Sequence, residues 1–286
     1  MRNYPVFVPH GTDHIAAVIT VPDEEPRGLV LLLTGGSAAR SHRFKVWTRT
    51  ARRLADEHAL ASVRMDYRGT GDSTGSLRQW RMSEMPVDQA LAVLSFARRG
   101  LGVDRVAVAG NCMGSRVALA VAAEVPECIG AICIRSPILG PSNMSKALEK
   151  AGRLGVISWI RSNAYLRRML VQRFAGRKKT TSDVRRPVLR ALSHSHLLFL
   201  YSEQDFTFNE QVERELNGLA ARLPAAERSR YELRVLAGQH LKGFESLDIQ
   251  RRVIESVVEW MGARFASPSG RQASVERPPV TAAEPG

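Results

Sequence analysis

Residues 110–114 are the part of this chain whose residue types and spacing most clearly indicate chemistry. They are Gly-Asn-Cys-Met-Gly, with Cys112 at the centre, between an apolar run at residues 105–109 and a helical pattern at residues 115–123. A sharp turn from strand to helix is typical of a nucleophile elbow, in which the central side chain stands above the sheet edge. Glycines permit such a turn because they lack a Cβ atom. Most elbows carry serine at the centre, so the cysteine predicts an acyl-handling enzyme whose nucleophile is a thiolate.

The thiol of a free cysteine has a pKa of ~8.5, so a catalytic cysteine needs groups that favour the thiolate. The N-terminus of the helix after the elbow is one such group, and a histidine is the other. In enzymes with this elbow, an acid and then a histidine follow the nucleophile along the chain, each after a later strand. Asp205 follows a strand-like run at residues 197–201, and His240 follows one at residues 231–235. We therefore predict that His240 takes the proton of Cys112 and returns it to the leaving group, while Asp205 orients His240.

Two backbone N–H groups are expected to stabilise the acyl oxyanion. The first belongs to Met113, directly after the nucleophile, and the second to the glycine-rich loop that follows the strand at residues 29–33. Gly36 is the first choice in that loop and Ser37 the second. His42, farther along the same loop, is expected either to contact substrate or to cap the next helix.

Short apolar runs alternate with helical patterns, which predicts an α/β fold with a mostly parallel central sheet and helices on both faces. An N-terminal hairpin is expected at residues 6–8 and 15–20. Further strands are expected at residues 29–33, 61–65, 105–109, 130–134, 197–201 and 231–235. One helix is expected from a shared apolar face of Phe44, Trp47, Ala51, Leu54 and Ala55. Other helices are expected at residues 115–123, 210–223 and 247–265, and after a Ser83 cap with Pro86 in the first turn.

The alternation stops at residues 137–192, where helical segments occur without a clear strand. We predict a helical cap there, inserted between two parts of a core at residues 1–136 and 193–266. Residues 267–286 are rich in Pro, Ala and Glu, lack periodicity, and are predicted to form a disordered tail.

The net charge of +13 is concentrated in the predicted cap, where 13 Lys or Arg residues stand against two acids. This concentration predicts an anionic partner, either an acyl-carrier protein or the phosphates of coenzyme A, that presents the acyl group. Arg177, Lys178 and Lys179 are the residues expected to bind it, and a solvated surface is the alternative. The rest of the chain is close to neutral, so the charge does not indicate nucleic-acid binding.

The composition also limits location and cofactors. The chain has no apolar run long enough to span a membrane and no signal-peptide core near Met1, so we expect a cytoplasmic protein. Its three cysteines, Cys112, Cys128 and Cys133, lack the spacing of a metal site or a disulfide framework. Its glycine-rich loops lack the Lys-Ser/Thr ending of a phosphate loop. No metal or other cofactor is therefore expected, and Cys133 is expected to be a core residue.

Several segments resemble the α/β-hydrolases, most closely the cysteine-elbow hydrolases associated with exosortase systems and the related serine-aminopeptidase-like hydrolases. The resemblance runs from about residue 29 to residue 261. Its motifs are Gly35-Gly36, residues 41–44, residues 66–73, the Cys112 elbow, residues 205–207, and Gly238 with His240. It implies the α/β-hydrolase fold. The fold itself does not determine the reaction, because it hosts esterases, thioesterases, acyltransferases and lyases.

Three functions remain open at this point. The first is an acyl hydrolase of the thioesterase or esterase type in a biosynthetic pathway, acting through an acyl-thioester on Cys112. The second is an acyltransferase, or more remotely an acyl-eliminating lyase, on the same scaffold. The third is a non-catalytic binding or scaffold protein with the cap as its interface, in which Cys112 fills a relic elbow. Separately, Asp205 could merely cap the helix after it. Asp66 and Asp72 are expected to brace their own loop.

Overall fold

The computed structural model of this protein describes residues 1–35, 38–76, 85–138, 184–205, 208–238 and 244–266. Several predicted site residues lie outside these ranges: Gly36, Ser37, Arg177, Lys178, Lys179 and His240. The same holds for Ser83, for residues 267–286, and for most of the predicted cap.

An eight-stranded sheet forms the centre of the molecule, in the order β1-β2-β4-β3-β5-β6-β7-β8. The strands are β1 (Arg2–His10), β2 (Asp13–Val21), β3 (Leu29–Leu33), β4 (Ala61–Met65), β5 (Val106–Asn111), β6 (Cys128–Ile134), β7 (His196–Ser202) and β8 (Tyr231–Leu236). β2 pairs antiparallel with β1 and β4, and the strands from β4 to β8 in the sheet order are parallel. The predicted hairpin and mostly parallel sheet are confirmed.

Helices cover both faces of the sheet. They are α1 (Val46–His58), α2 (Val87–Leu101), α3 (Met113–Glu124), α4 (Arg185–Leu192), α5 (Glu210–Ala221), α6 (Ala225–Arg228) and α7 (Leu247–Ala266), with a 3-10 turn at Arg43–Lys45. Apolar residues of α2, α3, α4 and α5 pack into one core cluster, and those of α1 and α7 pack into the other. Two clusters arise because the side chains of a strand alternate between the two faces of the sheet.

Two local predictions differ from the structure. Phe44 lies outside α1, in the 3-10 turn, and its side chain is exposed. Pro86 is the residue before α2 rather than part of its first turn, and its ψ of 59° is not helical. The end of the predicted cap segment is helix α4, whose Val188, Ala191 and Leu192 are buried in the same cluster as α3. Proline and aromatic patterns alone do not determine where a helix begins, because the backbone of the preceding loop decides it.

Within the described ranges, no helix is long and apolar enough to cross a bilayer. The same residues contain no group of three or more His, Cys, Asp or Glu side chains that could hold a metal ion.

Candidate active site

The predicted elbow is present, and Cys112 occupies its centre. β5 ends at Asn111 and α3 begins at Met113, so Cys112 alone makes the turn, with φ 55° and ψ −122°. A positive φ with this ψ is unfavourable for a residue with a side chain and costs about 1–3 kcal/mol. The surrounding backbone holds the conformation, since the N–H of Cys112 donates to the carbonyl of Ile134 at 2.8 Å and its carbonyl accepts from the N–H of Ser115 at 3.1 Å.

Close packing of backbone explains the glycines around the elbow. A Cβ atom at Gly110 would overlap the backbone of Gly114, and one at Gly114 would overlap the carbonyl of Thr34. A Cβ at Gly35 would lie 2.8 Å from the Cβ of Cys112 and 2.7 Å from the carbonyl oxygen of Asn111. The loop after β3 therefore passes directly against the nucleophile turn.

The sulfur of Cys112 has both unfavourable and favourable surroundings for a negative charge. The pKa of the thiol is raised above its usual value, chiefly by burial and to a smaller extent by Asp205; the charge of Arg135 and a hydrogen bond from the N–H of Met113 offset only part of this rise. The residue itself is partly exposed, whereas Cys128 and Cys133 are buried. Burial raises the pKa of those two thiols to about 11 and about 12. Cys112 is thus the one cysteine that is both accessible and positioned at a helix N-terminus.

Asp205 lies at the carboxyl end of the sheet, as predicted, but it has a partner that sequence reasoning missed. Its Oδ2 accepts a hydrogen bond from Nε of Arg135 at 2.8 Å, and both side chains are almost fully buried. Arg135 directly follows β6, which lies between the strands that carry Cys112 and Asp205. An arginine directly after a buried apolar strand was the signal that could have identified it.

Asp205 does not cap the following helix, so that alternative is wrong. Asn209 caps α5 instead, with its Oδ1 accepting from the N–H groups of Gln211 and Val212 at 3.0 Å each. The backbone of Asp205 closes turns with Ser202 and Phe208. The side chain of Asn209, and not that of Asp205, therefore satisfies the first N–H groups of α5.

The strand that precedes His240 is next to the strand that precedes Asp205. β7 and β8 are parallel, with Ser202 opposite Leu236, so their following loops leave the sheet together. At one end of the segment that contains His240, the N–H of Gly238 donates to the carboxylate of Glu203 at 3.0 Å. At the other end, the ring of Phe244 meets the ring of His42 edge-on, with centroids 4.7 Å apart.

His42 is packed behind the elbow. Its side chain makes no capping hydrogen bond, so the capping interpretation is wrong; substrate contact stays a prediction. Nε2 of His42 lies 3.0 Å from Nδ2 of Asn111, the residue before Cys112. The neutral imidazole accepts this bond, because Nδ2 of an asparagine is a donor. Sequence reasoning missed this contact, and nothing in the local pattern indicates it.

We expect His42 to make the protein less stable as the pH falls from 6.5 to about 4. Burial lowers the pKa of His42 from 6.5 to about 4, so the unfolded chain binds a proton in this range that the folded chain does not. The stability contribution is fully present above pH 6.5 and is lost towards pH 4, by up to about 3 kcal/mol. His42→Gln keeps an acceptor for Asn111 but has no titratable ring. Its free energy of unfolding in urea should therefore fall less than that of wild type between pH 7 and pH 4.5.

His196 is the internal control, since burial also lowers its pKa to about 4. It is present in both wild type and His42→Gln, so its own contribution to the decline is the same in the two proteins. An equal decline in stability for wild type and His42→Gln would show that His42 does not carry the effect.

The expectation that Asp66 and Asp72 brace a loop is confirmed. Asp66 is fully buried, and its carboxylate accepts from the backbone N–H of Arg40 at 2.6 Å and from that of Asp72 at 3.2 Å. The side chain of Arg40 bridges both acids. These bonds tie the loop after β4 to the loop after β3, which also runs past Cys112.

Comparison with known proteins agrees with this architecture. Residues 28–167 match the family model of the alpha/beta hydrolase fold. An esterase from Pyrococcus furiosus aligns with a TM-score of 0.69 at 15% identity, over 92% of this chain and 91% of that one. A proline iminopeptidase from Mycobacterium smegmatis aligns at 0.60 and 14% identity, over 92% and 99%. An α/β serine hydrolase homologue from Coxiella burnetii aligns at 0.59 and 16% identity, over 91% and 98%. No curated protein matches in sequence.

The chain is therefore an α/β-hydrolase-fold protein: the sheet order, the elbow after β5 and the family match all agree. Its departure from the serine-hydrolase pattern is the cysteine at the centre of the elbow.

Proposed function

We propose that this protein is an acyl hydrolase of the thioesterase or esterase type that acts through a Cys112–His240–Asp205 triad in a biosynthetic pathway. The observation that carries the proposal is the conformation of Cys112. This partly exposed residue makes a strained turn with no evident use in stability alone, and its sulfur accepts a hydrogen bond from the N–H of Met113 at the start of α3.

The reaction follows from these groups. His240 takes the proton of Cys112 as the sulfur attacks the acyl carbon, and the carbonyl oxygen becomes an oxyanion. The oxyanion collapses, the bond to the leaving group breaks, and His240 returns the proton to that group. His240 then takes a proton from water, whose oxygen attacks the acyl-thioester and releases the acid and the Cys112 thiol.

Chain connectivity supports the role of His240. The segment at residues 239–243 has one end held beside Asp205 through Gly238 and Glu203, and the other held against His42, which contacts the neighbour of Cys112. The chain on either side of residues 239–243 is thus anchored near Asp205 and near the neighbour of Cys112, which supports the choice of His240 as the histidine of the triad.

The oxyanion hole is proposed to consist of the N–H of Met113 and a second donor from Gly36 or, failing that, Ser37. Support comes from the neighbouring Gly35, which lies so close to the nucleophile that no Cβ fits between them. The close approach of Gly35 supports the choice of the second donor from the residues that follow it.

Water is the proposed acceptor because the similar structures include an esterase and a proline iminopeptidase, both names that denote hydrolases. A thioester on Cys112 also reacts with amines, thiols and alcohols, so acyl transfer is the alternative outcome of the test. We further propose that the basic segment at residues 137–192, including Arg177, Lys178 and Lys179, recruits an acyl group carried on an acyl-carrier protein or coenzyme A.

The proposal is tested by incubating the protein with a panel of acyl esters and thioesters, followed by mass spectrometry of the intact chain and its peptides. We expect an acyl adduct on Cys112 that decays to free acid in water. Decay only when an amine, thiol or alcohol is added would instead indicate a transferase. If neither an adduct nor turnover is detected, the result would contradict catalysis and favour a non-catalytic binding protein.

The panel includes one acyl group on coenzyme A and on a small neutral thiol, compared at low and high salt. The carrier proposal predicts that salt slows only the coenzyme A substrate, because salt screens the attraction between opposite charges. Equal salt dependence of the two substrates would contradict it.

A further inference from the structure

Arg135 is held between the two strands that carry the proposed nucleophile and acid. It follows β6 with φ 50°, a left-handed conformation that is uncommon for a residue with a side chain. Its N–H donates to the carbonyl of Leu200 in β7 at 2.9 Å, while the carbonyl of the preceding Ile134 accepts from the N–H of Cys112 at 2.8 Å. The backbone at Arg135 is thus fastened to both sides of the site.

The side chain of Arg135 is buried at the same place. It is 8% exposed, and its Nε–H donates to Oδ2 of Asp205, which is 1% exposed. A buried guanidinium is costly unless it is paired, and it stays protonated at every pH at which a protein is folded. A salt bridge that served stability alone could equally be replaced by apolar residues.

The charged groups around the Cys112 sulfur identify what the guanidinium does there. Arg135 favours the thiolate, and Asp205 opposes it. Arg116 of α3 donates to the carbonyl of Pro137 and acts on Cys133 instead. His42, which contacts the neighbouring Asn111, is neutral because burial lowers its pKa to about 4. The groups that favour the thiolate within the described ranges are Arg135 and the N–H of Met113.

We propose that Arg135 is a positioning residue of this site: its guanidinium holds Asp205 in place and supplies a permanent positive charge that stabilises the Cys112 thiolate. The proposal deepens the proposed function, on which it rests, by adding a fixed cation to a cysteine site. An imidazolium loses its charge when His240 gives up its proton, whereas the guanidinium keeps its charge through the whole cycle. This suits a nucleophile that must also be a leaving group when the thioester is hydrolysed.

The test measures the rate of Cys112 alkylation by iodoacetamide between pH 5 and pH 10, by mass spectrometry on the full chain. In this reaction the thiolate sulfur forms a bond to the CH₂ carbon, the carbon–iodine bond breaks, and iodide leaves. We expect Arg135→Gln to shift the midpoint of the alkylation profile to higher pH and to slow alkylation at pH 7 by about tenfold. Arg135→Lys keeps the charge and should stay within about threefold of wild type.

Arg116→Gln is the matched control, since it removes another buried guanidinium, and its profile should coincide with that of wild type. An unchanged profile for Arg135→Gln would overturn the proposal, and so would equal shifts for Arg135→Gln and Arg135→Lys. Failure of wild-type Cys112 to react even at pH 10 would also overturn it.

If Arg135→Gln does not fold because Asp205 has lost its buried arginine, the same comparison is made in the Asp205→Asn background. There, Arg135→Gln/Asp205→Asn should alkylate about tenfold more slowly at pH 7 than Asp205→Asn, and equal rates would overturn the proposal. Alkylation needs no substrate, so this result is separate from the proposed function. If the wild type forms no acyl adduct but Arg135→Gln still shifts the alkylation profile, the proposed reaction is contradicted while the role of Arg135 is supported.

Discussion

Cys112→Ala is expected to abolish turnover and acyl adduct formation, leaving only background hydrolysis. No other described cysteine can substitute, since Cys128 and Cys133 are buried on the strand β6 and burial raises their pKa to about 11 and about 12. Cys112→Ser should lose most of the activity, by about a hundredfold or more, because a hydroxyl is far less acidic than a thiol and the site is arranged for a thiolate. Steady-state rates and the intact mass after incubation with substrate provide the measurement.

Cys128→Ala is the matched control, because it removes a thiol from the core without touching the elbow. It should keep both turnover and the adduct. With iodoacetamide at pH 7, Cys112 should be labelled first in the folded protein. Preferential labelling of Cys128 or Cys133, or full activity in Cys112→Ala, would show that the elbow cysteine is not the nucleophile.

His240→Ala should lower kcat/KM by at least two to four orders of magnitude, the usual contribution of a general acid–base group. Asp205→Asn should cost less, because an amide still occupies the position of the acid beside Arg135. The losses should not add in the double variant, since groups that act as a unit fail together. Steady-state kinetics of the two single variants and the double variant would measure this.

Two controls separate catalysis from folding in this series. His14→Ala removes an exposed histidine on β2 and should keep wild-type kinetics. Urea unfolding is needed for Asp205→Asn, because this change also removes a charge from the buried pair with Arg135. Near-normal activity in His240→Ala, or losses that simply add, would show that these residues do not form a triad.

Much of the fold could be predicted because apolar periodicity and turn residues are local signals. The predicted strand at residues 61–65 is β4 to the residue, and the predicted elbow lies between β5 and α3. Gly110 is required by contacts with Gly114 and Ser115, only a few residues away, which is why the short motif was informative, whereas Gly114 is required by the distant carbonyl of Thr34. Boundaries that depend on a loop, such as the start of α1 near Phe44, could not be predicted in the same way.

The sequence by itself determined the order of the elements, the cysteine at the centre of the elbow and the presence of Asp205 after its strand. Only the tertiary structure decided which groups surround them. Arg135 meets Asp205 across 70 positions of sequence, and His42 meets Asn111 across 69. The sheet order places β6 between β5 and β7, and this arrangement brings the guanidinium to the acid and the thiol. Such contacts have no local pattern, because they depend on how distant strands pair and on which charges must be neutralised once they are buried.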